Sequence, residues 1–355
     1  MAPKEQKALA ITYKGGPFTL IRHAIPTPGA GELLVRVEGV GLNPAEWKVQ
    51  TGVFDLPMTY PALLGTDGAG TVVGIGEGVT TFREGDRILF QGWFDAKTSS
   101  FQEYALVDAN LTAKIPETMS SLEASAIPLA LATAALGLGQ EFPDVVSQRG
   151  GAGLKPFWEE GAEGYYTGKP ILILGGASMV GQYTIQIAKY MGFSPIIVTS
   201  SLKHTAYLKS MGATHIIDRY VEAAPAVEKL KRELKIELEV VYDAVHAPIT
   251  QAEVDLVSPN GTLVSIWELP KDGELQFKDG RRATANFGSV QMYKDLGKQM
   301  YARMEHFLEQ GIIKPPRVEK LAGGLGGVAE GSARLQRNEV SGVKLVVDPV
   351  ETPDF

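Results

Sequence analysis

Cysteine is absent from all 355 residues. That absence excludes disulfides, thiolate nucleophiles and every zinc site built on a cysteine ligand. Histidine is scarce: His23, His204, His215, His246 and His306 are scattered, with no pair at ligand-like spacing, so no metal site is expected. No unbroken apolar run of about 18 residues occurs, and the opening MAPKEQK lacks the charged-then-apolar order of a signal peptide. The expectation is a cytoplasmic chain without a membrane partner. The formal net charge of −7 offers no basic excess to displace counterions from nucleic acid, so no nucleic-acid partner is expected either. What is present is 44% hydrophobic residues on a chain too long for one ordinary core, which implies two domains.

The strongest positive signal runs from Ile171 to Phe193, ILILGGASMVGQYTIQIAKYMGF. A β-branched apolar run breaks at Gly175, Gly176, Ala177, Ser178, Met179, Val180 and Gly181, then restarts at helical spacing, which predicts strand, glycine turn and helix. Small residues there let backbone approach a pyrophosphate, and the helix N-terminus favours its charge, so a dinucleotide is the expected ligand. The spacing is G-G-x-x-x-x-G rather than G-x-G-x-x-G. A second strand over Ser194–Thr199 follows at βαβ distance. It ends in Ser200, Ser201 and Lys203 where an NAD-binding fold places an acidic residue on the ribose diol, and these donors suit the 2′-phosphate of NADPH. Either serine could instead cap the helix beginning near Leu202. Gly212–Asp218 and Leu238–Ala244 read as third and fourth strands, each entered from a helical segment, as in a doubly wound parallel sheet. Tyr220, past the third strand, and His246, past the fourth, join the cofactor-binding candidates; for His246 the alternative is a loop residue with no proton role.

The N-terminal region differs in texture. Glu32–Val40 and Gly70–Gly76 alternate in polarity between Gly- and Pro-rich turns, as in a β-barrel. A helix is predicted after Ser120 or Ser121, with Glu123 in its first turn. The segment from Glu141 to Lys169, poor in apolar residues, reads as a long surface excursion, and EKLKRELKIELE as a solvated helix face. Gly74–Gly78 is a barrel turn. Gly323–Gly327 precedes a helix but no apolar strand is expected to enter it.

Several segments together resemble the medium-chain dehydrogenase/reductase superfamily, in its zinc-free quinone-oxidoreductase and enoyl-reductase branch. They are Gly41–Lys48 (GLNPAEWK), Leu64–Gly70 (LGTDGAG), Gly85–Ile88 (GDRI) and Ser341–Val347 (SGVKLVV), in the family's order. Trp47-Lys48, the long excursion and the Ser200-Ser201 pair look closest to fungal trans-acting enoyl reductases. The resemblance implies an α/β protein: a GroES-like β-barrel domain (1–130 and 308–355) and a Rossmann domain with a doubly wound parallel sheet (131–307). Where zinc-dependent relatives carry their ligands, this chain offers Asn43 and Thr66-Asp67.

The chemistry so implied is NADPH-dependent hydride delivery, without zinc, to an enone, an enoyl thioester or a quinone, the enolate being held by hydrogen-bond donors. Lys48 is the catalytic candidate by resemblance, as oxyanion stabiliser or proton donor; its ordinary pKa of about 10.4 favours the first role. The alternative is a surface lysine covering Trp47. Asn43 either orients the ligand or fixes the Asn-Pro turn. Phe54 falls where several quinone reductases carry an aromatic residue near the nicotinamide, and Thr133, a cofactor-binding candidate, lies in the connecting region that lines the family's cleft. A zinc-free carbonyl reductase and a non-catalytic NADPH-binding module are the other readings, and the chain is expected as a monomer or homodimer acting on a small molecule.

Overall fold

A computed structural model describes residues 4–143, 149–246, 248–271 and 273–355. The chain forms two compact units, Met1–Leu129 with Val290–Phe355, and Ala130–Ser289.

The first unit opens with β1 (Glu5–Ile11), β2 (Phe18–Ala24), β3 (Glu32–Gly41), the two-turn helix α1 (Pro44–Thr51), β4 (Ala62–Leu63), β5 (Asp67–Ile75), β6 (Arg87–Gln91), β7 (Tyr104–Asp108) and β8 (Thr112–Lys114). Polarity alternation on β3 buries Leu33, Val35 and Val37 completely and turns Arg36 outward. The helix expected after Ser120 is α2 (Ser121–Ala124), closed by a reciprocal capping box: Glu123 N–H donates to Ser120 Oγ and Ser120 N–H to Glu123 Oε2. Next comes α3 (Pro128–Gly139).

The second unit follows as β9 (Ile171–Leu174), α4 (Met179–Tyr190), β10 (Ile196–Ser200), α5 (Thr205–Met211), β11 (His215–Asp218), α6 (Ala223–Leu234), β12 (Val240–Asp243), α7 (Gln251–Asp255), β13 (Thr262–Ser265) and β14 (Arg282–Ala285). Among the described residues these strands form one parallel sheet in the order β11-β10-β9-β12-β13-β14, reversing direction of build beside β9. β9 is buried along its length, as a strand covered on both faces must be. On α6, Val227 is buried while the charged residues face outward, apart from Lys231, which is paired with Glu228 at 2.9 Å.

The first unit then resumes with α8 (Lys294–Glu309), β15 (Val318–Lys320), α9 (Val328–Gln336) and β16 (Lys344–Val347). Its larger sheet runs β15-β16-β3-β5-β6-β8, with β7 paired to β3, and its smaller one β2-β1-β4.

Several expectations need adjustment. The first unit resumes at Val290 rather than 308, because α8 packs there: a Cβ at Gly297 would lie 2.8 Å from Val290 and 2.9 Å from Leu111. The excursion is not purely surface, since Phe157, Trp158 and Ala162 are buried; its residues 144–148 lie outside the described part. Gly150 N–H donates to the Ala285 carbonyl at 2.9 Å, so the excursion covers the edge of β14. The strand ahead of the Gly323–Gly327 turn, β15, is Val318-Glu319-Lys320 and not an apolar one, in line with the expectation, and Gly324 abuts Thr352 backbone there. Finally, Ser121–Gly139 is, among the described residues, a helical stretch long and apolar enough to cross a membrane, and 83% of it is buried within the protein, as in a core helix.

Candidate functional site

Each unit carries a group of the singled-out residues. In the second unit the chain leaves β9 at Gly175, whose φ is +82°. A Cβ there would lie 2.2 Å from Val245, and one at Gly181 would lie 2.3 Å from the Gly175 carbonyl oxygen, so both positions demand glycine. Thr199 secures the turn: its hydroxyl accepts from Gly175 N–H at 2.9 Å and its carbonyl from Gly176 N–H at 2.9 Å. Ser178 caps α4, accepting from Gly181 N–H at 3.0 Å. Ala177, Ser178, Met179 and Val180 are half-buried around the positive end of α4.

At the end of β10, Ser200 is buried and its hydroxyl donates to the Ser201 carbonyl at 3.3 Å. Ser201 precedes the short turn Leu202–His204 but makes no side-chain capping bond, so capping does not account for its hydroxyl. Lys203 is exposed. Tyr220, 75% exposed, receives a hydrogen bond from Arg219 at 3.0 Å and stacks under that guanidinium at 4.8 Å. Arg219 N–H in turn donates to the Ser200 carbonyl at 3.0 Å. Arg219 was not singled out from sequence, because an exposed arginine after a strand carries no distinctive pattern.

His246 is held by the fully buried Asp243, whose carboxylate contacts Nδ1 at 2.9 Å and accepts the His246 N–H at 2.9 Å. That hydrogen bond raises the imidazole's pKa above its ordinary value. Thr133 is buried, and its carbonyl accepts from the Tyr242 hydroxyl at 2.7 Å and from Asn286 Nδ2 at 2.6 Å. Burial holds the Tyr242 hydroxyl neutral well above the ordinary range. Asn286, missed from sequence, is 4% exposed and its Oδ1 has no hydrogen-bond partner among the described residues. Such an unmatched buried acceptor suits an amide donor from a ligand. Together with the glycine turn, the α4 terminus and the hydroxyls beyond β10, it fits a nicotinamide dinucleotide.

In the first unit, α1 carries Lys48. The ammonium lies 5.7 Å from the Trp47 ring centroid and 5.2 Å from that of Phe54, and Phe54 N–H donates to the Lys48 carbonyl at 2.9 Å. Burial pushes the Lys48 pKa down to about 8, well below the value expected from sequence. Trp47 Nε1 is buried without a hydrogen-bond partner among the described residues.

Asn43, at the N-cap of α1, is 5% exposed and both ends of its amide are engaged. Nδ2 donates to Thr66 Oγ1 at 3.0 Å and to Asp67 Oδ2 at 2.9 Å, while Oδ1 accepts from Lys344 Nζ at 2.5 Å. Lys344 Nζ also donates to Asp67 Oδ2 at 2.7 Å, and Asp67 Oδ1 accepts from Leu129 N–H at 2.6 Å. Glu46 accepts from Thr66 N–H and Oγ1 at 3.1 and 2.7 Å and from Asn43 N–H at 2.7 Å. Its burial pushes its pKa up to about 7 against those hydrogen bonds. These bonds favour the turn-fixing role for Asn43.

Two family profiles match the chain: "Alcohol dehydrogenase GroES-like domain" over residues 29–117 and "Zinc-binding dehydrogenase" over residues 180–294. Among curated proteins, the chain is 29% identical to the trans-enoyl reductase grgB of a Penicillium species, over 97% of this chain and 98% of that one. It is 33% identical to a chloroplastic quinone-oxidoreductase homolog of Spinacia oleracea over 61% of this chain and 62% of that one. Among solved structures, an alcohol dehydrogenase superfamily protein from Novosphingobium aromaticivorans superposes with a TM-score of 0.76 at 26% identity, covering 96% of this chain and 99% of that one. The chain is an oxidoreductase with a GroES-like and a Rossmann-like domain. It belongs to the medium-chain dehydrogenase/reductase superfamily.

The profile's zinc does not fit the residues present. Among the described residues no group of three or more His, Cys, Asp or Glu could hold a metal. Asn43 and Asp67 already share the ammonium of Lys344.

Proposed function

We propose that this oxidoreductase uses NADPH, without zinc, to reduce an activated C=C bond of an enone or enoyl thioester, or a quinone. NADPH, when bound, supplies the hydride. The glycine turn and the N-terminus of α4 hold the pyrophosphate, and Ser200, Ser201 and Lys203 hold the 2′-phosphate, with Arg219 and Tyr220 beside them. Asn286, with its buried acceptor unmatched among the described residues, and Thr133, which holds it, would orient the carboxamide end.

The single observation that carries the reading is Lys48. Its ammonium is partly desolvated against two aromatic rings, which strengthens its interaction with an enolate oxygen. A pKa of about 8 also lets it give up a proton near neutral pH, so one group can stabilise the developing charge and then protonate the α-carbon. That second role is more accessible than the ordinary lysine value allows. An alkene acceptor suits this arrangement better than a plain ketone, whose reduction calls for a strong acid or a metal at the oxygen.

The test is NADPH consumption with a panel of enones, quinones, aldehydes and ketones, for the native enzyme and Lys48→Met. Turnover on an enone should fall at least ~10-fold in the variant, reflecting one charge-assisted contact of about 1.5–3 kcal/mol, while NADPH affinity stays unchanged. A preference for simple ketones, or full activity in Lys48→Met, would reject this reading.

A further inference from the structure

The helix that presents Lys48 is only eight residues long, and its buried side chains are Glu46 and Val49. A helix this short has little stability of its own and takes its position from what holds it. Val49 supplies the apolar contact. The polar one is Glu46, two residues before Lys48 and 1% exposed. Three donors converge on its carboxylate: Asn43 N–H on Oε2, and Thr66 N–H and Oγ1 on Oε1. The direction of the Thr66 hydroxyl is set from behind. Its oxygen accepts from Asn43 Nδ2, so its proton points at Glu46, and Asn43 is itself fixed by Lys344 and Asp67.

From this geometry we infer that Glu46 is a positioning residue for Lys48, tying the first turn of α1 to the chain at the start of β5 so that the ammonium stays over the Trp47 and Phe54 rings. The inference rests on the role proposed for Lys48. A carboxylate is required because all three partners are donors: an amide would turn its NH2 toward one of them. Shortening the side chain by a methylene would keep the charge but lose the reach to one side.

The experiment combines kinetics with chemical labelling. Glu46→Gln and Glu46→Ala are assayed for kcat and KM on an enone and NADPH, and Lys48 is labelled with trinitrobenzenesulfonate at pH 8 and quantified by peptide mass spectrometry. Displacement of the ammonium should lower kcat ~10-fold or more with KM for NADPH within about twofold. Labelling of Lys48 should drop at least about threefold as the amine returns to water and regains its ordinary proton affinity. Thr66→Val, which removes the hydroxyl's bond to Glu46 and its acceptance from Asn43 Nδ2 but keeps the Thr66 N–H on Glu46, should move both readouts the same way by less, and serves if the Glu46 variants fail to fold. Folded variants with a lowered melting temperature but unchanged kcat and labelling would overturn the inference, leaving Glu46 a purely structural group. Should Lys48→Met prove fully active, the reading of Lys48 fails, and the labelling alone judges whether Glu46 positions it.

Discussion

Lys344→Met tests the energetics beneath the Lys48 helix. Lys344 is 2% exposed and Asp67 fully buried, with 2.7 Å between ammonium and carboxylate. The variant keeps the stem's volume but strands Asp67, which retains Asn43 Nδ2 and Leu129 N–H without a counter-charge, and it takes from Asn43 Oδ1 its donor. Removing one member of a buried ion pair costs about 3–5 kcal/mol, because the remaining charge stays desolvated. At about 2–4 °C per kcal/mol for a domain of this size, the melting temperature should fall by about 6–20 °C. The pair links β16 to the start of β5 across 277 residues of sequence, so the C-terminal strand should loosen with it and be cut first by protease. Thermal unfolding followed by circular dichroism gives the loss, and Lys344→Met/Asp67→Asn completes a cycle. Neutralising the stranded carboxylate should recover at least about 1–2 kcal/mol. A single variant within about 1 kcal/mol of the native protein, or a double variant no better than the single, would refute the reasoning.

Four further outcomes are expected. Turnover should hold steady at neutral pH and fall as pH rises through about 8, where Lys48 loses its proton, and Lys48→Met should lack that limb. The same depressed pKa means that the unfolded chain holds a proton the folded one lacks between about 8 and 10.4, so stability should rise with pH there, and this rise should vanish in Lys48→Met. The purified protein should contain no stoichiometric zinc by elemental analysis and stay active in chelator; one zinc per chain lost together with turnover would undo the zinc-free reading. Native enzyme should prefer NADPH over NADH by roughly 10-fold to a few hundred-fold, less at high salt, and Lys203→Ala with Ser200→Asp should abolish that preference in direct titrations. Equal affinities in the native enzyme would contradict it.

Local chemistry made much of this legible in advance. The Ser120–Glu123 capping box, the glycine turn after Ile171–Leu174 and the alternation on β3 are short-range signals, because caps, positive φ and pleat depend on neighbours a few residues away. The strand ends drifted: His215–Asp218 is shorter than the apolar pattern from Gly212 suggests, since only part of that run finds a partner on β10. The excursion misled for a related reason. Phe157 and Trp158 are isolated aromatics among glycines and acids, with no periodicity to betray their burial.

The sequence alone determined the glycine turn between strand and helix and the absence of cysteine ligands, both readable from residue type and spacing; the two-domain order and the candidacy of Lys48 came from its resemblance to the family. Only tertiary structure decided the proton affinity of Lys48, which follows from partial burial against Trp47 and Phe54, and the partnership of Lys344 with Asn43 and Asp67, which lie about three hundred residues away. Desolvation and ion pairing depend on what is nearby in space, and a chain brings distant residues together only by folding.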